Sequence, residues 1–530
     1  MKKNSFIIIT LTLMIFLGSC KKGFEEKNKD PYAITAVDPG LLFTGAERNM
    51  NSTAAGVNTG SWDGEQTIVQ QYVNAYNAGA TAGFQFNMDI DGYSNDRWNG
   101  VYPNVVKPLV QIISIVKNNP ASKNLYDMAR IWKAFAFMTL VDTYGDVPYS
   151  EAGKAYLENL ISPKYDKMAD IYADLYTELK TATADLSASN EYVASDLFFG
   201  GTAATITPAM IAAQVAHWKK IGYSLMLRLG MRYSKLDATK AASIVQEAFT
   251  GGVILSNSDN VVVKQYNGTV PNTFSNLQRN ISPYFYYLAE PFVTQLKSTS
   301  DPRLKYIGAS YANPTTITAT PDTTTANQYG FPIGYDAVSF LTAPGSRGAK
   351  GGGLNYTQLN YQVMVSTVAP ALFITNAQTQ LLLAEAKFRG WITSSTTTQQ
   401  YYEAGVRAAM DDWNLFPGTF SPAVSNTEKD NYLLGPAVAY NNTDALKLIN
   451  TQYWICSITN GAEGFANWRR SGYPALLRNT YNDNLVPGGG FVRRMSYPDA
   501  EKASNAANYS AAAASMGGDG ITQRVFWDKP

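Results

Sequence analysis

Apolar residues recur at intervals of three and four along much of this chain. SPKYDKMADIYADLYTELKTA places Met168, Ile171, Leu175 and Leu179 on one stripe, and HWKKIGYSLMLRLGMRYSKLD does the same with Trp218, Ile221, Leu225 and Leu229. Lys219, Lys220 and Arg228 fall elsewhere on the wheel, so both segments are expected to be amphipathic helices. MARIWKAFAFMTLVDTYGDVPY is apolar nearly all round and predicts a buried helix that stops at Gly145, with Pro148 just beyond. NAQTQLLLAEAKFRGW ends in the same way at Gly390, and YYEAGVRAAMDDW carries Tyr402, Val406, Met410 and Trp413 on one face. Alternation with period two is scarce, and GGVILS and NVVVKQY are the short strand candidates. Residues 253–365, rich in Thr, Asn, Pro, Gly and Tyr, read as irregular loops. The pattern predicts a mainly α body with large loop insertions and a few short strands. Its helix pairs can stack as a solenoid, although no fixed-period repeat is present.

The amino terminus follows a different pattern. Lys2 and Lys3 precede an apolar run from Phe6 to Leu17, the length of an export signal and too short to cross a bilayer. The run ends in Leu17-Gly18-Ser19-Cys20, which resembles the lipobox of bacterial lipoproteins, where cleavage precedes the cysteine and lipid is attached to it. An ordinary signal peptide that contains Cys20 is the alternative. Acyl chains anchor through buried methylenes at ~0.8 kcal/mol each, so a multiply acylated Cys20 would hold the body at a membrane. The expected organisation is a signal over 1–19, a lipid-anchored tether over 20–40 and a single helical domain over 41–530.

Composition narrows the functions open to such a body. Cleavage before Cys20 removes Lys2 and Lys3 and no acid, taking the net charge from +1 to −1. A near-neutral chain with 16% charged residues argues against a nucleic-acid partner. With Cys20 lipidated, Cys456 has no disulfide partner in the chain, and its setting in TQYWICSI suits an inert thiol. The 34 tyrosines present flat faces and hydrogen-bonding tips, which suit hydroxyl-rich ligands.

Catalytic groupings are sparse. The single histidine, His217, excludes a two-histidine zinc site, and its place on a helix suits packing. GAKGGG (348–353) and PGGGF (487–491) lack the spacing of a phosphate loop and read as turns. DIDGYSND gathers Asp89, Asp91, Asn95 and Asp96 without the spacing or closing glutamate of a calcium loop, so it reads as an Asx-rich cap on the next helix. No metal, cofactor or catalytic residue is nominated. A glycoside hydrolase with paired carboxylates remains the enzyme alternative, with no pair singled out.

Several segments, in order, carry a family resemblance. ARIWKAFAFMTLVDTYGDVPYSEA, DPRLKYIG (301–308), LLLAEAKFRGW, YYEAGVRAAMDDW, NWRRSGYPAL (467–476), RRMSYPDAEKASNAANY (493–509) and the closing RVFWDKP resemble the SusD/RagB family of outer-membrane nutrient-binding lipoproteins, SusD-like branch. Ser471 stands where that family usually has Thr. The resemblance runs from the lipobox to the last residues. It implies a tetratricopeptide-like array of helix pairs that acts without catalysis. Such proteins sit on the cell surface as lids over a SusC-like TonB-dependent transporter, capturing oligosaccharides or peptides for it. A structural envelope lipoprotein is the third possibility. Arg469 and Arg470 are expected to be structural, held by carboxylates or helix carbonyls, with Glu385 and Glu501 as partners.

The resemblance does not carry over ligand residues, which must be sought by chemistry. Trp62, Tyr76, Phe84, Tyr93 and Arg97 lie amid Asn, Gly and Asp in 60–100, a composition suited to stacking and hydroxyl recognition. Tyr329 and Tyr335 in NQYGFPIGYD form a second group. The expected ligand residues are Trp62, Tyr76, Tyr93, Arg97 and Tyr335, whereas Trp98 and Tyr102, four apart, are expected in the core.

Overall fold

A computed structural model of the chain describes residues 37–50, 64–76, 83–264, 285–316, 319–417, 424–486 and 490–530. Cys20, the export signal and Trp62 lie outside the described residues. The helices used below, in chain order, are α1 (Pro39–Asn49), α2 (Lys107–Val116), α3 (Lys123–Tyr144), α4 (Met168–Asp185), α5 (Pro208–Arg232), α6 (Ala238–Gly251), α7 (Glu290–Ser298), α8 (Asn376–Phe388), α9 (Thr398–Asp411), α10 (Ala445–Cys456) and α11 (Gly461–Ser471). Among the described residues, no helix is long and apolar enough to cross a membrane.

The apolar stripes decide how these helices meet. Met168, Ile171, Leu175 and Leu179 of α4 are buried, as are Trp218, Ile221, Leu225 and Leu229 of α5. Each such side chain contributes about 1.5–3 kcal/mol on leaving water. α3 packs on α4, α4 on α5 and α5 on α6, while α8 packs on α9 and α10, and α10 on α11. Contacts of α11 with α3 and of α5 with α8 join the two groups into one core. Thr207 caps α5 ahead of Pro208, and Thr375 and Thr397 open α8 and α9 with reciprocal capping boxes to Gln378 and Gln400. α3 is buried on almost every face and ends at Gly145, whose φ of +92° an L side chain rarely adopts. Gly405 lets α9 approach α8 closely, since a Cβ there would stand 2.7 Å from Leu381 Cγ.

Arginines lie inside this core. Arg470 of α11 makes a bidentate pair with Glu385 of α8, both contacts 2.8 Å, and Asn450 of α10 donates to the same carboxylate at 3.0 Å. Arg232 of α5 lies between Asp142 of α3 (3.2 Å) and Glu463 of α11 (2.6 Å). Arg228 sits off the apolar stripe, as expected, yet is buried and reaches Glu463 at 3.4 Å. Arg469 donates to the carbonyls of Asp142 (2.6 Å) and Arg493 (2.8 Å). Both Arg469 and Arg470 are therefore structural, Arg470 with Glu385 as its partner and Arg469 on backbone carbonyls. Glu501 instead accepts from the Tyr165 hydroxyl at 2.8 Å. Burial pushes the Glu385 carboxyl up, but the charge and hydrogen bonds of Arg470, with help from Arg389 and Asn450, hold it down at about 2.

α1 follows the amino-terminal segment and docks through polar groups as well as Phe43. Trp132 Nε1 donates to Ala46 O at 3.2 Å, and Leu197 N donates to Glu47 Oε2 at 2.8 Å. Glu47 is fully buried beside Asp196, whose Oδ2 accepts from Gln214 and Trp218 at 2.9 and 2.8 Å. Burial, and then the Asp196 charge, push the Glu47 carboxyl well above its ordinary range.

The strands used below are β1 (Tyr72–Asn74), β2 (Val261–Val263), β3 (Tyr286–Leu288), β4 (Gly308–Ala309), β5 (Gln358–Leu359) and β6 (Ala371–Ile374). β1, β3, β5 and β4 form one antiparallel sheet in that order, and β2 pairs with β6. The expectation of irregular loops over 253–365 is thus corrected, since that region contains α7 and four of these strands. The strands are two or three residues long with apolar residues on both faces, so no alternation marks them. NVVVKQY supplies β2. GGVILS forms no strand: Val253 and Ile254 are buried as unpaired extended chain, with Ile254 N donating to Ser224 Oγ at 3.0 Å. GAKGGG forms a small hairpin, Ala349–Lys350 against Gly353–Leu354.

Arg470→Ala should cost about 3–5 kcal/mol in chemical denaturation, because it strands the Glu385 carboxylate in the core. The stabilisation from Glu385 is full above its ordinary value of 4.5 and is lost as pH falls toward about 2, so Glu385→Gln should flatten the acid limb of the stability curve. Glu47 has the opposite sign. Its folded value is raised, so its contribution is full below the ordinary carboxyl range and declines as pH rises toward the folded value. Glu47→Gln should therefore gain stability over the parent at pH 8 relative to pH 5, and an equal difference at both would count against the upward shift at Glu47.

Candidate functional site

The four-stranded sheet separates two apolar regions. Tyr72 of β1 and Tyr286 and Leu288 of β3 point into the helical core, whereas Val73 and Tyr287, paired across the strands, point the other way. On that far side Val73, Ala75, Tyr287, Ala289, Phe331, Phe340 and Tyr356 form a second cluster, with Tyr329, Ile333, Tyr335 and Leu354 packed around it. Phe331 is central, its ring centroid 5.0 Å from Tyr356 and 5.9 Å from Tyr287. The loop 328–356 is sewn to the sheet by backbone bonds. Phe331 N donates to Leu288 O (2.8 Å), Glu290 N to Phe331 O (2.8 Å) and Ala337 N to Ala75 O (2.6 Å). Asp336 steadies the turn by accepting from Val338 N and Ser339 N at 2.8 and 2.7 Å, and from the Tyr481 hydroxyl at 3.1 Å.

Two features of this loop layer offer surface for a ligand, one at each end of β3. At its start Phe285 stacks on Tyr76, with centroids 4.2 Å apart and planes 8° from parallel. Tyr76 is 38% exposed, and Val338 and Leu341 nearby in sequence to Tyr335 are more exposed still. Just beyond the other end, roughly 15 Å along the strand at 3.3 Å per residue, a cavity of about 450 Å³ opens between α7 and the loop. Its volume lies in the range of ligand pockets. Val293, Thr294 and Lys297 of α7 form one wall, and Tyr329, Arg347 and Tyr356 form the other. Arg347 Cζ lies 3.8 Å from the Tyr329 ring centroid, and Lys297 Nζ lies 4.4 Å from it. Lys297 is held in place by the carbonyls of Gln328 (2.5 Å) and Ala326 (3.4 Å), and Tyr356 OH accepts from Arg347 N at 3.1 Å.

A second, wider groove of about 870 Å³ runs between residues 298–305, 323–325 and 428–438. Lys305 and Glu428 pair across it at 3.1 Å. Its one lining ring, Tyr432, is buried with its hydroxyl engaged by Gln452 and Arg303 at 2.8 and 3.2 Å. It offers less for stacking than the smaller cavity does.

The structure separates the sequence-nominated residues. Tyr76 and Tyr335 come together in the loop layer through the Ala75–Ala337 bond, with Tyr76 exposed and Tyr335 half-buried on the second cluster. Tyr93 and Arg97 do not join them. The Asp91–Ser94 and Asp96–Val101 segments are helical, which turns Tyr93 into the core and sets Arg97 in a buried pair with Glu65 at 2.5 and 2.7 Å. The expectation that these two face a ligand is corrected by that inward turn. Trp62 and the Phe84 side chain lie outside the described residues. Trp98 is buried and Tyr102 half-buried against it, with centroids 4.7 Å apart.

The acidic loop is used for docking rather than capping. Asp89 accepts from Ser496 Oγ (2.5 Å), while Asp91 accepts from Asp499 N (2.7 Å) and Asn95 Nδ2 (2.8 Å). Neither short helix there has a side-chain cap. Among the described residues, no three His, Cys, Asp or Glu side chains are placed to share a cation. His217 stacks on Phe199 with centroids 4.1 Å apart, and its Nδ1 lies 3.0 Å from Asp259 Oδ1. Burial pushes the Cys456 thiol up to about 12, leaving it protonated and unreactive at neutral pH.

The cavity residues Lys297, Arg347 and Tyr356 were not visible as a group in the sequence. The available signal was the tyrosine-rich composition around Tyr329, whereas Arg347 sits in a glycine-rich stretch that reads as a turn.

Comparisons with known proteins fit this arrangement. A family profile described as SusD-like, "starch-binding associating with outer membrane", matches residues 31–498. No curated protein matches the chain. A solved chitin-binding protein is 28% identical, with a TM-score of 0.77 covering 93% of this chain and all of its own. A chitin-binding SusD homolog from Flavobacterium johnsoniae is 20% identical, with a TM-score of 0.73 covering 93% of this chain and 98% of its own. A SusD homolog from Bacteroides uniformis is 22% identical, with a TM-score of 0.74 over 93% and 100%. The stacked helix pairs are thus the tetratricopeptide-like scaffold of such proteins, and this chain belongs to the SusD-like family.

Proposed function

We propose that this chain is a cell-surface lipoprotein, anchored through Cys20 at the outer membrane. In this reading it captures oligosaccharides in its loop layer and delivers them, as a lid, to a SusC-like TonB-dependent transporter. The observation that carries the reading is the cavity beside Tyr329 in a loop layer that also exposes the Tyr76–Phe285 stack. Flat rings beside hydroxyl and amide groups can pack a sugar face and bond its rim. The family description and the chitin-binding relatives support glycans over peptides as the ligand class. The protein acts by binding, not by catalysis. Glycoside hydrolysis needs two carboxyl groups roughly 5–10 Å apart, and Glu290 is the one acid among the described residues lining the cavity. The lid role rests on the family resemblance and on the lipobox at Cys20.

The test is a binding titration of the soluble form that starts after Cys20, against chito-, malto- and other oligosaccharides. Tyr76→Ala should weaken binding about three- to tenfold, the value of one aromatic contact of ~0.5–1.5 kcal/mol, and Tyr329→Ala should weaken it by freeing Arg347 and Lys297 from the cavity wall. Tyr76→Ala should leave the melting temperature unchanged, because that ring is partly in solvent. Tyr93→Ala should lower the melting temperature and spare affinity. Trp62→Ala belongs in the same series, with loss of affinity expected. Unchanged affinity in both tyrosine variants would remove the loop layer as the site.

A further inference from the structure

Arg347 differs from nearly every other arginine described in the chain. Arg97, Arg130, Arg228, Arg232, Arg303 and Arg470, among others, each have a carboxylate within salt-bridge distance. Among the described residues Arg48, Arg347 and Arg469 have none, and Arg469 spends its donors on carbonyls. Arg48 lies exposed on α1 and lines neither of the two cavities described above. Arg347 instead lines the 450 Å³ cavity, its guanidinium laid on the Tyr329 ring. The same ring lies beside Lys297 Nζ, which gives two of its three N–H groups to carbonyls and keeps one. Against these two cations the wall sets one acid, Glu290, so it is net positive in a chain that is otherwise near neutral.

Resting on the glycan-binding reading above, we infer that this cavity takes an anionic sugar residue, whose carboxylate or sulfate ester pairs with Arg347 and Lys297. A guanidinium presents a planar fork of donors that matches such groups in bidentate fashion. Stacking on Tyr329 holds that fork in place, so little side-chain freedom is lost when an anion arrives. The hydroxyls of Thr294 and Ser298, both exposed on α7, stand where the sugar's own hydroxyls would meet the wall. A neutral polymer would use the stack and leave the two charges without a counterpart.

The experiment titrates the same soluble form with oligogalacturonate, oligoglucuronate and a sulfated chondroitin tetrasaccharide. Each is paired with its neutral form, carboxyl-reduced or desulfated, and chito-oligosaccharide is run alongside. At least one anionic oligomer should bind tenfold or more tighter than its neutral pair at 50 mM salt, and that margin should shrink at 500 mM. Arg347→Gln should erase the margin, Arg347→Lys should keep part of it, and neither should shift the melting temperature. Preference confined to the uronates identifies the carboxylate as the anion, and preference confined to chondroitin identifies the sulfate. Equal binding of charged and neutral pairs, or a margin that survives Arg347→Gln, overturns the inference. In those cases chito-oligosaccharide binding that still depends on Tyr76 leaves the glycan-binding function standing. Failure of every oligosaccharide to bind overturns both.

Discussion

The core of this protein is organised around charges that have left water. Asp142, Arg232, Glu463, Arg470 and Glu385 come from α3, α5, α11 and α8, and each is satisfied only when those helices stand at one relative height. Apolar stripes bring helices together but tolerate sliding, because leucine against leucine costs little to shift. A buried guanidinium does not tolerate it, since a displaced partner leaves an unpaired charge. The network also reaches the end of the chain, where Trp527 Nε1 donates to Asp142 Oδ1 at 2.9 Å. The last residues are thereby fastened to the carboxyl end of α3, where Arg494 and Met495 already bond the carbonyls of Tyr144 and Thr143.

The short sheet has a different role. It does not add a layer of regular structure so much as divide the interior. Tyr72 and Leu288 belong to the helical side, and Val73 and Tyr287 to the loop side. Four strands of two or three residues suffice, because each backbone group they satisfy is one that would otherwise be buried without a partner. The loop layer is therefore a second small core with its own aromatic centre at Phe331. The surfaces proposed for the ligand, around Tyr76 and around Tyr329, are the two ends of the strand that the small core is built on.

Much of this was legible in the sequence, and the rest was hidden for physical reasons. The stripes of α4 and α9 stood out because each helix buries one face and wets the other, whereas α5 does so only over its first half and is buried all round from Ser224 to Arg232. Arg470 and Glu385 were traceable because a carboxylate on an apolar helix face needs a cation. The sheet was not legible, since strands apolar on both faces and three residues long have no period to detect. Tyr93 and Arg97 were misplaced because Asn, Asp and Gly around them resemble a loop, while the chain there is helical and turned inward. Arg347 escaped because its partner, Tyr329, is a ring on another stretch of loop, and a cation on a ring leaves no charge pattern in sequence. Tyr76 and Tyr335 were nominated by composition and lie in the loop layer, although composition could not have paired Tyr76 with Phe285.

The dividing sheet has a bearing on how such a protein can change over generations. Residues on its loop side meet the rest of the molecule through the backbone of β1, β3 and β5, through Lys297 of α7 and through the Asp336–Tyr481 contact. Substitutions beyond Phe331 that spare those contacts can therefore reshape the loop layer without disturbing the register of the helices. Conversely, drift within the helical core is screened from the loops by the same few strands. One chain can thus accommodate change at two rates, slow in the scaffold and fast in the loop layer.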